Sequence, residues 1–228
     1  MRDSTDNQRS ADNQRSADNQ CTADNHWTTL DVEAREADIL GKPQRIKSLS
    51  IDELDADALA LVARMRQSLN SKTTEISDVF GLMLQHPGLF RCQMDMGIQL
   101  AGKGALSPRE RELAVLRVGW WCGAPYEWGE HVIVAKRYGI TSEEIERITQ
   151  GSSAPGWSEH ERAIIRGVEE LLDRQMLSDE TWAVLARTWN ERQLLEFPVL
   201  VGQYFATALQ QNSLRVRLGG NNAGLRSR

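Results

Sequence analysis

Three side chains in the middle of this 228-residue chain, Glu112, Glu127 and His131, have the types and spacing of an acid/base site. Imidazole titrates near neutrality, and a carboxylate beside it orients the ring and shifts its pKa. Glu127 and His131 are four residues apart, so a single helix would carry both on one face. Glu112 stands fifteen residues before Glu127. Around this set, Tyr126, Trp121 and Trp128 are the candidates for holding a substrate. Tyr126 would donate a hydrogen bond to a bound oxyanion, and the tryptophans, with Trp120, would half-enclose a pocket. Large aromatics at helical spacing also fill cores and subunit interfaces, so both roles stay open for them.

These residues need two helices and a tight joint. Ser107 is a good N-cap, Pro108 takes the first helical position, and Glu110 completes a capping box. Leu113, Leu116, Val118, Trp120 and Trp121 carry that helix to Gly123. Pro125 restarts the chain, and a second helix runs from about Tyr126 to Gly139, with Lys136 and Arg137 in its last turn. Packed antiparallel, the two would bring both acids and the imidazole together. Glu110, Arg111, Glu130 and Lys136 read as surface charges, and His86, before a proline, as a helix-break residue with a structural hydrogen bond. His26 and His160 are not candidates for the chemistry.

The rest of the chain is also helical in pattern. Ser50 with Glu53, Thr141 with Glu144, Ser158 with Glu161, Ser178, and Asn190 with Gln193 mark helix starts. His86-Pro87 separates a helix carrying Ile76 to Leu84 from one running to Leu100, and Pro198 should kink the last long helix. No stretch alternates as a strand does. The expected fold class is all-α, a compact helical bundle.

Composition bounds the function. A net charge of −5 argues against nucleic-acid binding, which needs a basic surface. No apolar run approaches a membrane span or a signal-peptide core, so the cytosol is the default location. The three cysteines, Cys21, Cys92 and Cys122, form no CxxC and no metal-ligand spacing. Cys92 and Cys122 read as small buried hydrophobes, and no metal is expected. Residues 4–27 repeat a polar hexapeptide (STDNQR, SADNQR, SADNQC, TADNHW) that lacks the apolar side chains a core requires. The domain reading is therefore a disordered tail and linker over 1–48, one all-α domain over 49–218, and a flexible C-terminus over 219–228.

The segments SPRERELAVLRV, YEWGEH and VGQYFATALQQNSL resemble the carboxymuconolactone decarboxylase family, which includes the alkyl hydroperoxidase D branch. The likeness covers roughly residues 75 to 218. It implies an alkyl hydroperoxidase D-like helical fold and a homo-oligomer, trimer or hexamer. The hydroperoxidase branch uses a Glu, a CxxC pair and a His four residues after the second cysteine. Carried across, the Glu falls on Glu112 and the His on His131, but the cysteines fall on Ala124 and Glu127. A thiol peroxidase needs an attacking thiolate and usually a resolving thiol, and both positions lack sulfur. The decarboxylase branch has no such cysteines and, by resemblance, works without a metal or organic cofactor. The reading is a cofactor-free acid/base lyase, decarboxylase or isomerase, on a small carboxylated or lactone substrate. In it His131 donates or shuttles the proton, Glu127 orients the imidazole, and Glu112 shares the network. The alternative is a non-catalytic oligomer that binds a small molecule on the same scaffold, with hydroperoxide reduction third.

Overall fold

Ser, Thr or Asn followed three residues later by Glu or Gln satisfies two orphan backbone donors at once, and four helices here open that way. The computed structural model describes residues 30–68 and 76–228. The described residues form ten α-helices and no strand: α1 (Val32–Ile39), α2 (Ala56–Ser68), α3 (Asp78–Met83), α4 (Pro87–Gly102), α5 (Pro108–Trp121), α6 (Pro125–Arg137), α7 (Ser142–Gln150), α8 (Glu159–Arg174), α9 (Asp179–Ala186) and α10 (Glu191–Leu214). Short 3-10 turns lie at Ile51–Glu53 and Gly224–Arg226. The all-α class expected from the periodicity is the one observed. None of the described helices is long and apolar enough to cross a membrane. The hexapeptide repeat, with Cys21 and His26, and the polar joint at 69–75 lie outside the described residues.

Helix α5 is the axis of the molecule. Every residue from Arg111 to Trp120 is buried, because α6, α7, α8 and α10 pack around it. A helix enclosed on all sides has no solvent face for its charges, so Arg111, Glu112 and Arg117 must find partners inside. A second apolar cluster, built on Ala58, Val62, Leu82, Leu84 and Phe90 of the α2–α4 region, closes around Val216. Helix α10 runs through Pro198 without interruption.

Several local expectations change. The Ser50–Glu53 box caps the 3-10 turn, and α2 starts later, where Asp55 Oδ1 accepts the Ala58 N–H at 2.8 Å. Leu59, Leu195 and Leu209 are exposed. Residues 32–39, read as linker, form α1 instead. Arg35 anchors it by donating to the carbonyls of Gly123 (2.9 Å) and Cys122 (3.0 Å). Those carbonyls are left over where α5 ends, at the α5–α6 joint that Gly123 turns with φ +50°.

The last ten residues, expected to be flexible, are packed against α6. Leu225 is fully buried, and the Ser227 carbonyl accepts the Trp128 indole N–H at 3.1 Å. Asn222 donates to the Tyr126 carbonyl and to Glu130, each at 2.9 Å. It approaches so closely that a Cβ at position 129 would lie 1.7 Å from its side-chain oxygen, so Gly129 makes the docking possible. Polar composition hid this segment, because its anchoring comes from one leucine and specific hydrogen bonds rather than from a periodic pattern. Leu225→Ala is expected to destabilise the protein by about 2–5 kcal/mol, read as a lowered urea midpoint with an unchanged m-value.

Candidate active site

The antiparallel packing of α5 on α6 brings Glu112, Glu127 and His131 together. His131 Nδ1 lies 2.7 Å from Glu112 Oε2, and its Nε2 lies 3.3 Å from Glu127 Oε1. Glu112 is 1 % exposed, and its other oxygen accepts from Arg111 Nε at 3.0 Å. Arg111 in turn donates to the Ala101 carbonyl at 3.0 Å. Tyr204 of α10 meets the imidazole edge-on, with ring centroids 5.0 Å apart. The result is an alternating line of charge, guanidinium, carboxylate, imidazolium, carboxylate, inside an otherwise apolar packing.

Electrostatics follow from that order. Burial opposes the charged imidazole, but Tyr204, Glu112 and Glu127 outweigh it and hold the His131 pKa well above its ordinary value. Burial likewise works against the Glu112 anion, and His131 and Arg111 overcome it, so its carboxyl titrates below the usual range. A carboxylate stands at each ring nitrogen, so both are placed to donate. Among the described residues no group of three His, Cys, Asp or Glu is placed to hold a metal ion.

A cleft of about 440 Å³ opens on this line between α2–α4 on one side and α6 and α10 on the other. Glu127, His131 and Tyr126 are on its wall; Glu112 is behind them. Trp128 and Trp121 are not on it, which corrects the expected pocket. Trp128 is fully buried against Trp120, with centroids 5.0 Å apart, and its N–H is spent on Ser227. Trp121 lies under the Arg117 guanidinium and lines a separate hollow beside Cys122. Helical spacing alone cannot say which face meets a cavity.

Of the residues read as surface charges, Arg111 is buried and Glu110 half-buried. Arg111 is 4 % exposed and is the anchor of Glu112; Glu110 accepts from the Trp189 indole at 2.7 Å and pairs with His160 at 2.8 Å. Tyr204 carried no local signal at all, since it comes from a helix far along the chain. His86 does cap α4, its Nδ1 accepting the Leu89 N–H at 3.2 Å.

No cysteine is among the described residues of the site. Ala124 is the N-cap of α6, and Glu127 lies one turn before His131. Cys92 is exposed rather than buried, and burial pushes the Cys122 thiol up to about 12, where almost none of it is thiolate at neutral pH. Cys122→Ser is therefore expected to leave any turnover unchanged, and the wild-type chain is expected to consume no alkyl hydroperoxide in a coupled dithiol assay.

Residues 87–170, which hold α4 to most of α8 and all three site residues, match the model of the Carboxymuconolactone decarboxylase family. Over this segment the chain is similar to that family. Solved structures of low identity share the helical fold. An uncharacterized peroxidase-related protein from Ralstonia eutropha JMP134, described as an alkylhydroperoxidase AhpD core, superposes with a TM-score of 0.65 at 14% identity, over 78% of this chain and 94% of that one. A second peroxidase-related protein, from Silicibacter sp. TM1040, gives 0.64 at 14% identity over 79% and 96%. A protein of unknown function from Agrobacterium tumefaciens gives 0.54 at 17% identity over 60% and 94%. At such identities the likeness is one of fold. No curated protein matches the chain.

Proposed function

We propose that this protein is a cofactor-free acid/base catalyst, a lyase or isomerase of the carboxymuconolactone decarboxylase type, acting on a small molecule with an enolisable carbonyl. The observation that carries this reading is the His131 imidazole held between Glu112 and Glu127, with only His131 and Glu127 reaching the cleft. Glu112, kept ionised by His131 and Arg111, fixes the ring. Glu127 then takes a proton from the carbon next to the carbonyl. The imidazolium donates from Nε2 to the carbonyl oxygen as it gains charge, stabilising an enol. Returning the proton at a second carbon completes an isomerisation; loss of CO₂ in place of the first proton gives the lyase variant. Either version needs no electron acceptor.

The test is hydrogen exchange. Cyclic ketones and lactones incubated in D₂O with the protein are expected to lose their α-proton NMR signal faster than in buffer. Binding without exchange would leave a small-molecule-binding scaffold. The exposed Leu195, Val199 and Leu209 on α10 support self-association, which sedimentation would read as a mass above 25.7 kDa.

A further inference from the structure

The cleft wall is apolar over most of its extent, with Met65, Phe80, Phe90, Met94 and Ile98 facing Tyr204 across it. Among its described residues the charged side chains are Glu127, Glu130 and His131, and none is Lys or Arg. Arg111, the guanidinium nearest in the network, is turned to Glu112 and the Ala101 carbonyl. Arg111, Glu112, His131 and Glu127 cancel in pairs. Glu130 then adds one more negative charge among the described lining residues, and Asn222, which donates to it, is neutral. A carboxylate brought into such a cavity would lose its water and meet a like charge, with no Lys or Arg among the described lining residues to pair with.

One further group is unspent. Gln211 lines the cleft, is 6 % exposed, and its side-chain oxygen has no hydrogen-bond partner. A buried amide left this way costs free energy unless something occupies it. Gln211 lies seven residues after Tyr204 on α10, which places it about 10 Å along the helix from the imidazole end.

We infer that the cleft takes an uncharged, elongated substrate whose carbonyl sits at Glu127 and His131, whose body is apolar, and whose far end carries a hydroxyl that meets Gln211. This rests on the acid/base reading and narrows it. Of the two substrate types considered, a lactone fits and a carboxylated molecule does not, so the reaction is a proton transfer and not a decarboxylation. One C–H bond breaks and another forms, with no CO₂ and no electrons exchanged.

The experiment is calorimetric titration of the full chain with three probes: a medium-chain alkyl lactone, the same lactone with a terminal hydroxyl, and its ring-opened hydroxycarboxylate. The lactones are expected to bind at least about tenfold more tightly than the carboxylate. Gln211→Leu should abolish the advantage of the terminal hydroxyl while leaving the plain lactone unaffected. Glu130→Gln should narrow the gap between lactone and carboxylate. Equal or tighter binding of the carboxylate, or no binding of either lactone at millimolar concentration, overturns the inference. The underlying reading fails separately: lactone preference without deuterium exchange keeps the inference and removes the catalyst.

Discussion

His131→Gln is expected to slow α-proton exchange by about 10²–10⁴-fold, the range that a positioned general acid contributes, while the helical circular dichroism stays native. Glutamine can keep one hydrogen bond to Glu112 but cannot carry the proton. The fold has little reason to collapse, since Glu112 retains Arg111 at 3.0 Å and the ring is at the cleft wall rather than in the main core. Glu127→Gln should be as damaging, because it removes the base and leaves the acid. The pair of substitutions should cost little more than either alone, as expected for groups that act as one unit. An exchange rate unchanged in His131→Gln would remove the imidazole from the chemistry, whatever the geometry suggests.

How much of this could be read from the chain depends on range. Glu112, Glu127 and His131 are close in sequence, and two rules suffice to bring them together: the i,i+4 spacing on α6 and the short Gly123–Pro125 joint. Capping boxes gave the starts of α5, α7, α8 and α10 for the same reason, since both partners lie within one turn. The failures share the opposite property. Trp128 and Trp121 flank the site in sequence but turn to Ser227 and to the Cys122 hollow, partners that lie far along the chain or on another face and that spacing does not reveal. Arg111 sits next to Glu112 and still read as solvated, since its burial is set by α4 and α6, not by its neighbours. Tyr204 and Leu225 are contacts made across most of the domain, and no local rule reaches them.

Arg111→Met is expected to destabilise the protein by about 3–5 kcal/mol, measured as a lowered urea midpoint at pH 6. The side chain is 4 % exposed, and methionine keeps much of its bulk, so the loss is mainly electrostatic: Glu112 would remain buried with a single partner. Two signatures separate this cause from a packing defect. The first is pH. Glu112 titrates low in the folded protein, so its contribution is present above the unfolded pKa of ~4.3 and is lost as pH falls through the folded value. His131 titrates high, so its contribution is complete below ~6.5 and is lost as pH rises toward its folded value. Wild-type stability should therefore be greatest between these limits. Arg111→Met should move the acid arm upward, since Glu112 loses one of the groups that hold it ionised. The second signature is compensation. Adding Glu112→Leu to Arg111→Met removes the stranded anion and should recover most of the stability, because a buried pair replaced at both ends is close to neutral. Activity should not return with it, since His131 would then lack the carboxylate that fixes Nδ1. A double variant as unstable as the single one would mean that Arg111 serves the fold by packing, and that the charge line is incidental to it.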